Sequence, residues 1–195
     1  MKKSLLAVLL VAALVLPVVP TFAADEGSME LDVKAGFTFM AKGDIDKVGD
    51  GDVNSSFLIG ADFFYYVKPE FAIGAGITNI FNSKIQNTPG DPKLGFTNIY
   101  AQGKYVIDTQ DDVFNNVYPF LQIGYGIVNV DCDYVEVDSN GICWGIGFGT
   151  TIKENVKLEL MYLHNSATFK AKGTSFTADA TYSALAIKIG YKFAL

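Results

Sequence analysis

Thr181-Tyr182-Ser183-Ala184-Leu185-Ala186-Ile187-Lys188-Ile189-Gly190-Tyr191-Lys192-Phe193-Ala194-Leu195 ends the chain, and its alternation decides the fold. Leu185, Ile187, Ile189, Tyr191, Phe193 and Leu195 share one parity. Ala184, Ala186, Lys188, Gly190, Lys192 and Ala194 share the other. A side-chain period of two belongs to a strand with one apolar face and one small or charged face.

Working back along the chain, the same rhythm recurs. Val156, Leu158, Leu160 and Tyr162 alternate with Lys157, Glu159 and Met161, and Trp144, Ile146, Phe148 and Ile152 with Gly145, Gly147 and Gly149. Leu121, Ile123, Tyr125 and Ile127 are backed by Gln122, Gly124, Gly126 and Val128. Ile99, Ala101, Gly103, Tyr105 and Ile107 oppose Asn98, Tyr100, Gln102, Lys104 and Val106. Phe71, Ile73, Ala75 and Ile77 oppose Ala72, Gly74, Gly76 and Thr78. Phe57, Ile59, Ala61, Phe63 and Tyr65 oppose Leu58, Gly60, Asp62, Phe64 and Tyr66. In the first such segment Leu31, Val33, Ala35, Phe37 and Phe39 oppose Asp32, Lys34, Gly36, Thr38 and Met40, which makes eight predicted strands.

The opening residues have another character. Met1-Lys2-Lys3 is basic, Leu5 to Val19 is apolar, and Thr21-Phe22-Ala23 leaves small residues for cleavage. This predicts a secretory signal over residues 1–23, with 24–195 forming one barrel domain. Its removal takes two lysines from the 15 basic residues and none of the 21 acidic ones, moving the net charge from −6 to −8. Arginine is absent. An acidic chain of this kind lacks the clustered positive charge that nucleic acid requires. Beyond the signal no apolar run approaches the roughly 20 residues of a membrane-spanning helix.

Segments Val67 to Glu70, Asp108 to Asn116 and Lys153 to Asn155 read as shorter turns. Ala41 to Ser55, Phe81 to Gly95, Asp131 to Gly141 and Asn165 to Ala180 read as longer polar loops. Short turns alternating with long loops, and an even strand number, match an eight-stranded antiparallel transmembrane β-barrel, closed because an open edge in hydrocarbon leaves backbone groups unpaired. A soluble lipocalin-like barrel is the structural rival, with the apolar parity turned inward. Residue size argues against it: glycine and alanine dominate the polar parity, and eight strands enclose little space. Phe57, Tyr65, Phe71, Tyr105, Trp144, Tyr162, Tyr191 and Phe193 fall on the apolar parity near strand ends, where interfacial girdles form.

Three stretches carry a family resemblance. They are Phe63-Phe64-Tyr65-Tyr66-Val67-Lys68-Pro69-Glu70-Phe71-Ala72-Ile73-Gly74, Tyr118-Pro119-Phe120 through Gly124-Tyr125-Gly126, and Glu154 through Tyr162. With them the chain resembles the small outer-membrane barrel superfamily that includes OmpA, OmpX and OmpW. The resemblance implies a cell outer membrane location in a Gram-negative envelope. It also implies that Tyr191, Phe193 and Leu195 form the signal read by the barrel-assembly machinery, although the chain ends on Leu195 where the family usually has an aromatic.

The inward parity collects Glu30, Asp32, Lys34, Asp62, Lys104, Lys157, Glu159, Lys188 and Lys192, with Gln102 and Gln122. Charges in so narrow a lumen must pair, since desolvating one alone is costly. They predict a polar network that either fills the bore or lines a pathway. Cys132 and Cys143 extend the inward parity of neighbouring strands, and a secreted chain with two cysteines invites a disulfide. That bridge would contribute about 2–3 kcal/mol.

Asp44, Asp46, Asp50, Asp52 and Asn54 make an acidic first loop. Its Asp50-Gly51-Asp52-Val53-Asn54 start resembles a calcium loop but has Ser55 and Ala61 where glycine and glutamate are required. His164, the sole histidine, shares a parity with Ser166, and Asp179 lies across the last loop. His-x-Ser is similar to the motif of lipid A deacylases of the PagL type, though Ala167 stands where that family has asparagine.

The expectation is therefore a non-enzymatic outer-membrane barrel protein with a structural and surface-interaction role, monomeric and without cofactor or metal. Its partners would be outer-membrane lipids, lipopolysaccharide touched by the extracellular loops, and the assembly machinery. Two alternatives stay open. One is a narrow channel for small or apolar solutes, as the OmpW resemblance implies; the other is lipid A deacylation through His164 and Ser166.

Overall fold

The computed structural model describes residues 25–45, 49–84, 86, 93–111, 113–131, 140–170 and 177–195. The predicted signal segment and cleavage site lie outside them. Ten strands follow in order: β1 (Met29–Ile45), β2 (Gly49–Val53), β3 (Phe57–Lys68), β4 (Phe71–Lys84), β5 (Lys93–Tyr105), β6 (Ile107–Asp108), β7 (Phe114–Asp131), β8 (Asn140–Ile152), β9 (Val156–Lys170) and β10 (Thr177–Ala194). Eight are long, each pairs antiparallel with its neighbours, and β10 returns to β1 from Glu30↔Ala194 to Ile45↔Ala180. The sheet is a closed eight-stranded barrel. The expected strand number and topology hold.

The short strands are extensions of this wall. β6 prolongs β5 beside β7 through Ile107↔Val117 and Asp108↔Asn116. β2 continues β3 across a break at residues 54–56: it pairs with the upper part of β1, and on its other side Asn54 N donates to Lys84 O at 3.1 Å and Gln86 N to Asp52 O at 3.0 Å. Ser56 seals the break, its backbone N donating to Thr38 Oγ1 at 3.0 Å and its hydroxyl to Phe81 O.

The apolar parity faces outward. Phe148, Ile123, Ile142, Ile189 and Phe37 are all more than half exposed on a belt that runs round the barrel. A soluble monomer rarely exposes a contiguous apolar patch beyond a few hundred Å², so the lipocalin arrangement is excluded. Aromatic pairs mark both edges of the belt. Phe57 stacks between Phe37 and Phe81 with centroids 5.4 and 5.6 Å away, Trp144 lies 5.5 Å from Tyr162, and Tyr191 lies 4.8 Å from Phe193.

Two expectations need correction. Met40, assigned to the inward parity, is 78% exposed, with φ of +50°. A β-bulge between Phe39 and Lys42 inserts an extra residue there, so Ala41 takes the inward position. The predicted long loops are also shorter than the sequence suggests. Pairing continues to Ile45, Lys84, Asp131 and Lys170 before the chain turns. The reason lies inside, where Val53, Leu94, Phe96, Val128, Ala167 and Ala180 are buried and keep the interior apolar toward the loop end.

The interior has three tiers between the end carrying the short turns (the turn end) and the opposite loop end. Near the turn end sits a cluster of charges. Above it Asn98, Gln102, Gln122 and Asn165 are buried, each with side-chain polar atoms that have no protein partner. At the loop end Leu58, Ile80, Phe96 and Val128 lie abreast in register, with Tyr182 packed 5.1 Å from the Phe96 ring. Glycines on β8 make room for bulky partners. A Cβ on Gly147 would sit 2.6 Å from both Phe120 Cζ and Leu160 O, and one on Gly149 would sit 2.4 Å from the Tyr118 ring.

Candidate functional site

Eight of the predicted lumen charges meet in one buried cluster, four lysines against four carboxylates. Register explains the grouping. β1 sets Asp32 directly opposite Asp62 of β3, and like charges so placed repel unless cations intervene. Lys34 is that cation for Asp62. It stands opposite Gly60 on one side and Gly190 on the other, so its stem lies flat against the wall; a Cβ on Gly190 would come 2.8 Å from Lys34 Cγ.

Lys34 Nζ lies 2.6 Å from Asp62 Oδ2, 2.5 Å from Glu159 Oε1 and 3.6 Å from Asp32 Oδ2. Lys157 Nζ is 2.6 Å from Asp32 Oδ2 and shares Glu30 Oε1 with Lys104. Lys188, opposite Glu159 across β9 and β10, reaches Glu159 Oε2 at 3.2 Å. All eight side chains are at most 4% exposed.

Aromatic residues complete the cluster. Tyr66 OH donates to Glu30 Oε2 at 2.8 Å, Tyr100 OH to Asp62 Oδ1 at 2.8 Å, and Tyr118 OH to Glu159 Oε1 at 3.1 Å. Lys104 Nζ lies 3.8 Å from the centroid of Phe64, close enough for a cation–π contact. Tyr66, Tyr100 and Phe64 were visible on the inward parity, but alternation carries no sign that their rings and hydroxyls would serve the charges.

Lys192, the ninth residue of the predicted network, is half-buried and lies apart from this cluster, beside a cavity of about 700 Å³ open at the turn end. Lys104, Lys157, Glu30, Tyr66 and Tyr118 reach the same cavity from the cluster, and Glu70, Asp108, Asp111 and Glu154 reach it from the turns. Its mouth is held by backbone hydrogen bonds between neighbouring turns: Val106 N to Glu70 O at 2.7 Å, Lys153 N to Val113 O at 3.1 Å, and Lys192 N to Asn155 O at 2.8 Å.

The remaining candidates are dispersed. Cys143 is buried with a free thiol, and Cys132 lies outside the described residues, so the predicted bridge is not a described feature. His164 Nδ1 is 2.8 Å from Ser183 Oγ, with the ring 5.5 Å from Trp144. Ser166 Oγ donates instead to Ile142 O at 3.2 Å, and Asp179 Oδ1 accepts from Thr168 Oγ1 at 2.7 Å. His164, Ser166 and Asp179 are therefore not joined as a triad. In the acidic first loop Asp44 and Asp52 are exposed, while Asp46 and the Asp50 side chain lie outside the described residues. Among the described residues no group of three or more His, Cys, Asp or Glu could hold a metal. Tyr191 and Phe193 face outward, and Leu195 N donates to Met29 O at 3.0 Å, tying the last residue into the closing seam.

The family described as outer membrane protein beta-barrel domain matches residues 5–193. No curated protein matches the sequence. Among solved structures, the chain is similar to Neisserial surface protein A at 18% identity and a TM-score of 0.53, over 86% of this chain and all (100%) of that one. It is similar to the outer membrane protein OprG from Pseudomonas aeruginosa at 13% identity and a TM-score of 0.52, over 87% and 98%. It is also similar to Ail, the attachment invasion locus protein of Yersinia pestis, at 13% identity and a TM-score of 0.51, over 86% and 99%. At these identities the likeness is one of fold.

Proposed function

This chain belongs to the outer membrane protein β-barrel domain family and resides in the outer membrane, and from that premise we propose that it is a closed, non-enzymatic barrel with a structural and surface-interaction role. The observation that carries this reading is the neutral plug. Four lysines and four carboxylates pair across the bore, and an interior of eight strands has little width left for solute. Above the plug, the apolar loop-end tier stiffens a wall that continues past the bilayer. Such a wall is a rigid base for presenting loops to lipopolysaccharide or a partner surface. Tyr191, Phe193 and Leu195 serve assembly in this reading, as the strand that closes the barrel.

A narrow channel is the second reading, favoured by the cavity that penetrates from the turn end as far as Lys104 and Lys157. Single-channel recording of the folded protein in a planar bilayer separates the two. A silent bilayer, with folding verified by a heat-dependent gel shift, supports the plug. Discrete steps that change when Lys104 or Glu159 is neutralised would overturn it.

A further inference from the structure

We propose that the ion pairs of the plug act as a latch on the seam between β10 and β1, the one boundary between long strands that no connecting segment secures. Every other such boundary joins strands that follow one another along the chain. A connection of that kind keeps two strands close after their hydrogen bonds break, so the entropic cost of bringing them back is modest. β10 and β1 have no such tether and meet only through the pairing that runs from Glu30↔Ala194 to Ile45↔Ala180.

The plug charges are placed to close that seam. Lys157 of β9, Gly190 of β10 and Lys34 of β1 stand abreast in register. Over Gly190 the ion pairs cross. Lys157 Nζ reaches Asp32 Oδ2 of β1 at 2.6 Å and also Glu30, toward the turn end, while Lys34 Nζ reaches back to Glu159 Oε1 of β9 at 2.5 Å, toward the loop end. All three contacts span β10 from one neighbour to the other. Gly190 leaves the passage open, since a Cβ there would come 2.8 Å from Lys34 Cγ. β10 itself is fastened by Lys188, 3.2 Å from Glu159 Oε2. By contrast β4, β7 and β8 carry none of the eight plug charges, and their boundaries have connecting segments instead. The partners are buried, so water does not replace one that is lost. The latch rests on these contacts and not on whether the bore conducts, which sets it apart from the closed-bore reading.

The test is amide hydrogen exchange of the folded mature chain in lipid nanodiscs, read by NMR strand by strand, because exchange reports local opening separately from global unfolding. In the unmodified chain the amides that bond β10 to β1 should be protected within about threefold of those that bond β4 to β5 and β7 to β8. Lys157→Met should speed exchange at the β10–β1 seam at least about tenfold and at the other two boundaries less than about threefold. Lys104→Met is the control. It removes an equally buried plug lysine whose ion pair, to Glu30, runs from β5 to β1 without spanning β10, so any change should be uniform. Three outcomes would overturn the proposal: a seam already tenfold less protected in the unmodified chain, equal acceleration of all boundaries by Lys157→Met, or the same seam selectivity from Lys104→Met. If Lys157→Met gives no folded gel band, Glu159→Gln, which weakens the contact with Lys34, is judged by the same criteria.

Discussion

Replacing Lys34 by methionine is the most informative single change, because Lys34 joins two halves of the plug. Its ammonium lies 2.6 Å from Asp62 Oδ2 and 2.5 Å from Glu159 Oε1. At an effective dielectric of about 20, each contact amounts to about 6 kcal/mol of Coulomb attraction. Desolvation offsets several kcal/mol per ion, and removing one member of a buried pair costs about 3–5 kcal/mol in measured cases. Glu159 would keep Lys188 at 3.2 Å and the Tyr118 hydroxyl, whereas Asp62 would keep the Tyr100 hydroxyl. The loss should therefore fall mainly on Asp62, and the double variant Lys34→Met/Asp62→Asn should recover to within about 1 kcal/mol of the original chain. The assay is reversible urea unfolding in lipid vesicles, followed by the fluorescence of Trp144, the one tryptophan, which lies on the lipid-facing belt. If Lys34→Met costs less than about 1 kcal/mol, or if the double variant is no better than the single one, the plug does not work as a set of mutually dependent ion pairs.

Two further outcomes follow from particular contacts. Gly147→Val should cost about 1–3 kcal/mol or prevent assembly, because its Cβ would overlap both the Phe120 ring and the Leu160 carbonyl; the folded gel band measures this, and an unchanged band would contradict the packing. Asp111, exposed in the β6–β7 turn, accepts from the backbone N–H of Phe114 and of Val113, which holds its carboxyl below the ordinary carboxylate range. A lowered carboxylate contributes stability that is present above its unfolded value and is lost as pH falls through the folded one. The Phe114 amide shift should accordingly titrate with a midpoint below about 3.9, the unperturbed aspartate value, and the turn should hold its form from neutral pH down to that point; a higher midpoint would refute the capping role.

Much of the barrel was legible in the sequence because its period is local. Residues two apart face the same way whatever their partners, so Phe57 through Tyr66 or Trp144 through Phe148 announce their faces without knowledge of the neighbouring strand. The misplacement of Met40 shows the limit of that rule. A bulge depends on the strand opposite, and nothing in Phe39-Met40-Ala41 marks it. The loop-end strands were hidden for a related reason: Val53, Leu94 and Ala180 stand in polar surroundings along the chain and become an apolar core only when the strands are brought together.

The same division holds for the site. Alternation placed Glu30, Asp32, Lys34, Asp62, Lys104, Lys157, Glu159, Lys188 and Lys192 on one parity, and desolvation then required charges enclosed by eight strands to pair. Which charge meets which was decided by register, a relation between strands that one strand cannot encode. It put Asp32 against Asp62, brought Lys34 to a glutamate 125 positions away, and left Lys192 at the edge of a cavity instead of inside the plug. Face and composition were thus determined by the sequence alone, since side-chain period is a property of the local backbone. Pairing, closure and the cavity came only with tertiary structure, because stagger between strands and the tightness of the turns exist only once the barrel has closed.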